Sequence, residues 1–234
     1  MVKPEGERIL QPEPITARDE LIDFAQAATL LAELGRTLYN RGWVLGTSGN
    51  LSVVLTQNPL RLAITPTGAD KALLSADQIV QIDTAGKTVV GSARPSDEAG
   101  LHLTVVRVLG AKAVLHTHSI WSTILSEAYA AEGALIIEGY EMLKGLNGVR
   151  SHHHRERIPI LENSQDVPAL AGSVETILRD HPTTHGYLLR GHGLYTWGED
   201  LAQAKRHLEI LEFLLEVEGR RYCAVARVSK PPSS

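Results

Sequence analysis

AVLHTHS, residues 113–119, joins the pattern of a buried strand to a pair of metal-ligand residue types. Ala113, Val114 and Leu115 form the unbroken apolar run expected of a strand covered on both faces. His116 and His118 follow at a spacing of two. Side chains alternate along a strand, so these two point to one face. Two imidazoles roughly 6.6 Å apart at Cα can converge on one cation. Two half-buried histidines bonded to backbone carbonyls would give the same pattern. A third histidine in similar company moves the balance toward a cation. His192 follows the apolar run 187–189 and lies between Gly191 and Gly193. Three neutral imidazoles with an open fourth position build a catalytic zinc site, although the same ligands suit iron, cobalt or nickel.

Working outward from residue 113, helical and strand-like patterns alternate. Thr16 with Asp19 three residues on is a weak relative of a capping box, and Leu21, Phe24, Ala28, Leu31, Leu34 and Leu38 keep helical spacing to a stop near residues 40–42. Strands are expected over 51–55, 60–65, 79–82 and 88–90, with a hairpin turn at 84–87 and a short helical piece at 69–74. Ser96 is placed to cap a helix running to about Val108. A helix should begin near Ser119, a short strand fills 134–137, and 139–146 is ambiguous between helix and turn. Residues 151–157, SHHHRER, read as a polar loop; 158–161 is strand-like, with Pro159 putting it at an edge or a strand start. Asp166 or Pro168 opens a helix to about Arg179. Strands at 186–189 and 194–197 precede an amphipathic helix from Glu199 to about Arg221. Strands between long helices give an α/β layered fold, and the hairpins make its sheet mixed. With no internal repeat or linker, residues 16–230 read as one domain behind a loose arm, 1–15.

Composition narrows the function classes. The 234 residues are 43% hydrophobic and 21% charged, as in a globular protein with a sizeable core. A net charge of -4 and the lack of a Lys/Arg cluster argue against a nucleic-acid surface. One cysteine, Cys223, excludes an internal disulfide and fits a reducing compartment. The first residues are polar and Pro-rich, without the apolar core of a signal peptide or a membrane span, so a cytoplasmic location is expected.

Two small-residue turns, Gly46-Thr47-Ser48-Gly49-Asn50 and Thr65-Pro66-Thr67-Gly68, expose backbone N–H groups and hydroxyls that can hold a phosphate, or are simply tight turns. Lys71 adds a cation, and Ser96 could donate to an anion from a helix start. Asp97 and Glu98 there would ordinarily be helix-dipole carboxylates. Glu98, Glu138 and Glu141 are the carboxylates to weigh as acid/base groups: a base beside a divalent cation can remove a proton α to a carbonyl. His152, His153 and His154 read as a surface loop, and Trp121, Trp197 and Met142 as core. A zinc hydrolase finds no support, since neither HExxH nor a nucleophile elbow is present.

In this order, the GTSGN turn, the TPTG turn, PSDE, HTH and RGHG resemble the class II aldolase superfamily, the aldolase/adducin-head fold, over residues 20–220. EGYEMLKG (138–145), IPILEN (158–163) and GLYTWG (193–198) look most like its methylthioribulose-1-phosphate dehydratase family, of the methionine salvage pathway. The resemblance implies a three-layer α/β/α fold around a mixed, largely antiparallel sheet, one Zn2+ per subunit, and a homotetramer with sites near subunit interfaces. It makes His116, His118 and His192 the zinc ligands and Glu141, in EMLKG, the catalytic acid/base. It seats a sugar phosphate on Ser48, Gly49, Asn50, Thr67, Gly68 and Ser96, with Lys71 beside them. The aldolases of the superfamily instead use a glutamate at the PSDE position, and Glu98 occupies it here. The rival readings are therefore a class II aldolase or pentulose-phosphate 4-epimerase using Glu98, and a non-catalytic adducin-head-like interaction domain.

Overall fold

The computed structural model describes residues 21–228, with side chains described as far as 225. The arm 1–15 and the Thr16/Asp19 helix start lie outside the described residues. Strand β5 (Ala113–Thr117) is fully buried and sits at the centre of a nine-stranded sheet. On one side lie β1 (Asn50–Gln57), β2 (Leu60–Ile64), β3 (Val80–Ile82) and β4 (Thr88–Val90), each antiparallel to the next. On the other side the order is β9 (Gly193–Gly198), β8 (Gly186–Leu189), β7 (Arg155–Leu161) and β6 (Ala134–Glu138). Only β7 and β8 run parallel. The sheet is mixed and largely antiparallel, as the resemblance implies.

Strand alternation sends the core to both faces. Ala113, Leu115, Leu51, Leu188 and Leu194 face α1 (Phe24–Asn40), α3 (Ile120–Ala128) and α5 (Leu201–Val228). Val114, Val54, Leu62, Tyr187 and Leu189 face α2 (Ala99–Leu109) and α4 (Val167–Asp180). Burying each of these valines and leucines contributes about 1.5–3 kcal/mol, so two covered faces are what hold this sheet. The helix ends follow their local chemistry. Asp23 caps α1, Ser119 caps α3 through the Ser122 N–H, and Asp166 caps α4 through the Ala169 N–H.

Several expectations need correction. The cap of α2 is Glu98, not Ser96; the Ser96 hydroxyl, two residues earlier, accepts from the Glu98 N–H. Residues 155–157 belong to β7 and not to a loop, because Glu156 is drawn inward to two histidines. Strand β7 is also not an edge strand. Its Ile160 N–H points to Gly133 O beside β6, so alternation turns the Pro159 nitrogen toward β8, whose pairing starts only at Ile160. The ambiguous stretch 139–146 holds a 3-10 helix, Glu141–Gly145. Met142 is exposed and Trp121 half-buried; only Trp197 of that trio is core.

Candidate active site

The site forms where β5 and β8 end and β1 begins. The antiparallel register pairs Asn50 with His116 and His116 with Tyr195, and His192 lies in the turn between β8 and β9. The three Nε2 atoms converge: His118 to His116 is 2.8 Å, His192 to His118 is 3.0 Å, and His116 to His192 is 3.2 Å. His116 Nδ1 meets Leu194 O at 3.0 Å, and donation there leaves the Nε2 lone pair facing its neighbours. His192 Nδ1 is held at 3.3 Å from Asn163 Oδ1. This is how a metal ligand is usually oriented, by the ring nitrogen that does not bind the ion.

Glycine lets the strands close this tightly. A Cβ on Gly193 would stand 2.0 Å from Thr117 O and 3.1 Å from His116 Cε1. At Gly49, where φ is +70°, a Cβ would meet His116 O at 2.7 Å.

All three histidines are held neutral. Burial, then the neighbouring rings, pushes His116 well below its usual pKa. Burial lowers His118 to about 4, and burial lowers His192 despite the opposing charge of Glu98. The Nε2 lone pairs of His116 and His192, turned inward by their Nδ1 contacts, face each other across 3.2 Å and repel unless something positive lies between them. With His118 beside both, the donor set fits a divalent cation. Glu98 completes it, Oε2 lying 3.5 Å from His116 Nε2 and Oε1 3.4 Å from His192 Nε2.

Glu98 is positioned by a buried chain that motif reading did not anticipate. Asn50 Nδ2 donates to Glu98 Oε2 at 2.6 Å and to Ser96 Oγ at 2.9 Å. Asn50 Oδ1 bonds His102 Nε2, and His102 Nδ1 meets Ser52 Oγ at 2.7 Å. Burial drops His102 to about 3, which keeps it a neutral relay. The signal available in sequence was the polar parity of Asn50, Ser52 and His102 within otherwise apolar elements.

All seven residues expected at a phosphate line one cavity of about 280 Å³ beside the histidines: Ser48, Gly49, Asn50, Thr67, Gly68, Lys71 and Ser96. Asn163, Ser164 and Gln165, from the loop before α4, close it and were missed. Lys71 is buried, its Nζ donating to Thr47 O at 3.0 Å and Ala69 O at 3.1 Å, and burial lowers its pKa to about 8 against the pull of Asp70. A larger cavity, about 520 Å³, lies at the other end of the sheet and touches none of the three histidines.

Glu141 is not brought to this centre within the chain. Its side chain is 71% exposed, pairs with Lys144 and lies 3.7 Å from His152. The strand directions explain why: β6 runs opposite to β5, so its C-terminal end, and Glu141 after it, falls at the far end of the sheet. Four strand spacings, roughly 19 Å, add to that separation. Glu138, at the end of β6, is exposed as well.

Thr117, between the two histidines, faces the opposite layer and donates to Glu212 Oε1 of α5 at 2.6 Å. Burial raises the Glu212 carboxyl to about 7, opposed by bonds from Ser119 and Thr117. An acid whose folded pKa is raised loses its proton first in the unfolded chain. Stability therefore falls as pH rises from the ordinary carboxylate range to about 7, then levels. Glu212→Gln removes this dependence. Its urea stability relative to the parent should improve by on the order of 2 kcal/mol between pH 5 and pH 8, at 1.36 kcal/mol per unit; a difference that does not change with pH would refute the assignment.

A histidine triad and a glutamate at strand ends, beside a polar cavity in a mixed nine-stranded sheet, define a class II aldolase type of protein. The chain belongs to the class II aldolase and adducin N-terminal domain family, whose model matches residues 29–218, and within it to the methylthioribulose-1-phosphate dehydratases. It is 42% identical to the methylthioribulose-1-phosphate dehydratase of Marinobacter nauticus over 83% of this chain and 93% of that one. To the enzyme of that name from Methylococcus capsulatus it is 43% identical, over 86% of this chain and 96% of the relative. Among solved structures, an L-fuculose 1-phosphate aldolase superposes with a TM-score of 0.70 at 22% identity, covering 89% of this chain and 90% of that one. The Thermus thermophilus L-fuculose-1-phosphate aldolase gives 0.67 at 23%, over 88% and 98%. These two likenesses concern the fold.

Proposed function

We propose that this chain dehydrates 5-methylthioribulose 1-phosphate to 5-methylthio-2,3-dioxopentyl phosphate in methionine salvage, as a zinc-dependent hydro-lyase. Its relatives at 42–43% identity carry the dehydratase name over nearly their whole length. The observation that carries the chemistry is the meeting of His116, His118 and His192 beside a polar cavity lined by Ser48, Thr67, Lys71 and Ser96. These histidines would hold the zinc. A divalent cation there supplies Lewis acidity to a bound ketone, which acidifies the adjacent C–H.

The remaining roles belong to the chain. Hydroxyls and N–H groups at Ser48, Gly49, Thr67, Gly68 and Ser96 hold the phosphate, and Lys71 supplies charge. Asn50 steers Glu98, which sits beside the triad as a fourth group. Glu141 takes the C3 proton and, once protonated, gives it to the departing C4 hydroxyl; the resulting enol tautomerises to the diketone. Because Glu141 lies at the far end of its own sheet, it serves the triad of a neighbouring subunit in a homotetramer. That placement also suits a base: exposed, Glu141 is held below its usual pKa by Lys144, and burial against a neighbour would raise it.

No helix among the described residues is long and apolar enough to cross a membrane. The test is product identification by NMR after incubating the zinc-loaded chain with 5-methylthioribulose 1-phosphate. The diketone is expected. Dihydroxyacetone phosphate with methylthioacetaldehyde would establish an aldolase, and a C4 epimer an epimerase. An unchanged substrate would point to the interaction-domain reading.

A further inference from the structure

At the opposite end of the sheet from the triad, two histidines close on one buried carboxylate. Glu156, at the start of β7, is 1% exposed. Its Oε2 lies 2.7 Å from His154 Nε2 and 3.0 Å from His185 Nδ1. Its Oε1 is fixed separately, accepting from the His185 backbone N–H at 3.0 Å. The second nitrogen of His185 is occupied as well: Nε2 lies 2.8 Å from Asn147 O, an acceptor only, so it carries the hydrogen.

That last bond matters most. A ligating imidazole ordinarily donates its far N–H to a carbonyl or carboxylate, which turns the other nitrogen's lone pair to the ion. His185 has this arrangement, and its Nδ1 points at a carboxylate oxygen. Lone pair and carboxylate repel across 3.0 Å unless a proton or a cation lies between them. One ligand atom from each of His154, Glu156 and His185 falls within 4.8 Å of the others. The set is two imidazoles and one carboxylate, a combination that zinc and its neighbours bind tetrahedrally with water as the fourth ligand. Space for that water exists, since the cavity of about 520 Å³ is lined by His154, His185, His207 and Asn147.

We infer that His154 Nε2, Glu156 Oε2 and His185 Nδ1 form a second divalent-cation site, separate from the triad and open to this cavity. The ion would tie the starts of β7 and β8 together. Through the bond from His185 to Asn147 O it would also brace the segment that follows Glu141–Gly145, the backbone N–H of Asn147 itself donating to His207 Nε2 at 3.1 Å.

The experiment counts metal. The full chain is stripped with a chelator, reloaded with excess Zn2+, desalted and analysed for zinc per subunit, with Co2+ absorption as a second readout. Two equivalents are expected for the parent, and one each for His154→Ala and for His116→Ala, which empty different sites. His152→Ala/His153→Ala, in the adjacent loop, should keep two. His154 is 33% exposed, so its replacement leaves the core intact; Glu156→Gln repeats the test if it folds. One equivalent in the parent, or two retained in His154→Ala, overturns the site and shows a proton-bridged histidine–carboxylate pair instead. Loss of an equivalent in the His152/His153 variant would also overturn it, by moving the ligands into the loop. The triad's metal is scored independently by His116→Ala, so failure here leaves the proposed activity standing.

Discussion

His116→Ala should abolish turnover while leaving a folded chain. The residue is fully buried, meets both other histidines at 2.8 and 3.2 Å, and stacks on Tyr195 at 3.9 Å between ring centroids. Removing it leaves His118, His192 and Glu98 but takes away the ring that meets both other histidines, so the cation is held more weakly and out of its catalytic geometry. Lewis-acid stabilisation is worth several kcal/mol, and about 4 kcal/mol corresponds to roughly a thousandfold in rate. kcat/KM should therefore fall by about 10³ or more, together with the metal of this site. A second readout separates chemistry from damage. A ligand that binds only the folded chain raises its stability, so chelation should lower the melting temperature of the parent more than that of the variant. A variant within tenfold of parental activity, or one whose melting temperature responds equally to chelation, would rule out His116 as a ligand.

Local pattern made much of this centre legible. The AVL run and the HxH spacing are short-range features, and strand alternation converts them directly into two rings on one face. The turns at residues 46–50 and 65–68 were readable for the same reason: small residues and positive-φ glycines mark them wherever they fall in space. What sequence does not encode locally is which end of which strand a motif occupies. EMLKG reads as part of the active site until the order β5-β9-β8-β7-β6 is known; the direction of β6 then carries Glu141 away. The reverse happened at Glu98. It looks like a helix-dipole carboxylate and serves as the N-cap residue of α2, yet Asn50, 48 positions earlier, turns it toward the histidines. Glu156 was hidden by its surroundings. A polar run such as SHHHRER has the composition of a loop, and only the long-range bonds from His185 explain why its end is a strand with a buried acid.

Glu141→Gln and Glu98→Gln should fail in different ways. If Glu141 carries the proton from C3, its amide variant keeps the metal and the phosphate site, both built from other residues, and loses kcat by about 10²–10⁴ with KM little changed. Excess zinc should not rescue it. Glu98→Gln instead places an amide where a carboxylate lies 3.5 and 3.4 Å from the Nε2 atoms of His116 and His192, and it faces the Asn50 Nδ2 donor with an ambiguous partner. Weaker metal retention is expected, with activity largely restored by added zinc. The opposite outcome, a parental Glu141→Gln and a Glu98→Gln that stays dead in saturating zinc, would transfer the base to Glu98 and with it the aldolase-like reading. The topology allows a sharper test of where Glu141 acts. Co-expressing His116→Ala with Glu141→Gln mixes two inactive subunits. If the carboxylate serves a neighbour, a site is intact whenever a Glu141→Gln subunit, with its triad whole, adjoins a His116→Ala subunit, with its glutamate whole. Random assembly makes that about a quarter of all sites, so about a quarter of parental activity should return. Were Glu141 to act within its own subunit, every site would carry one lesion or the other, and mixing would recover nothing.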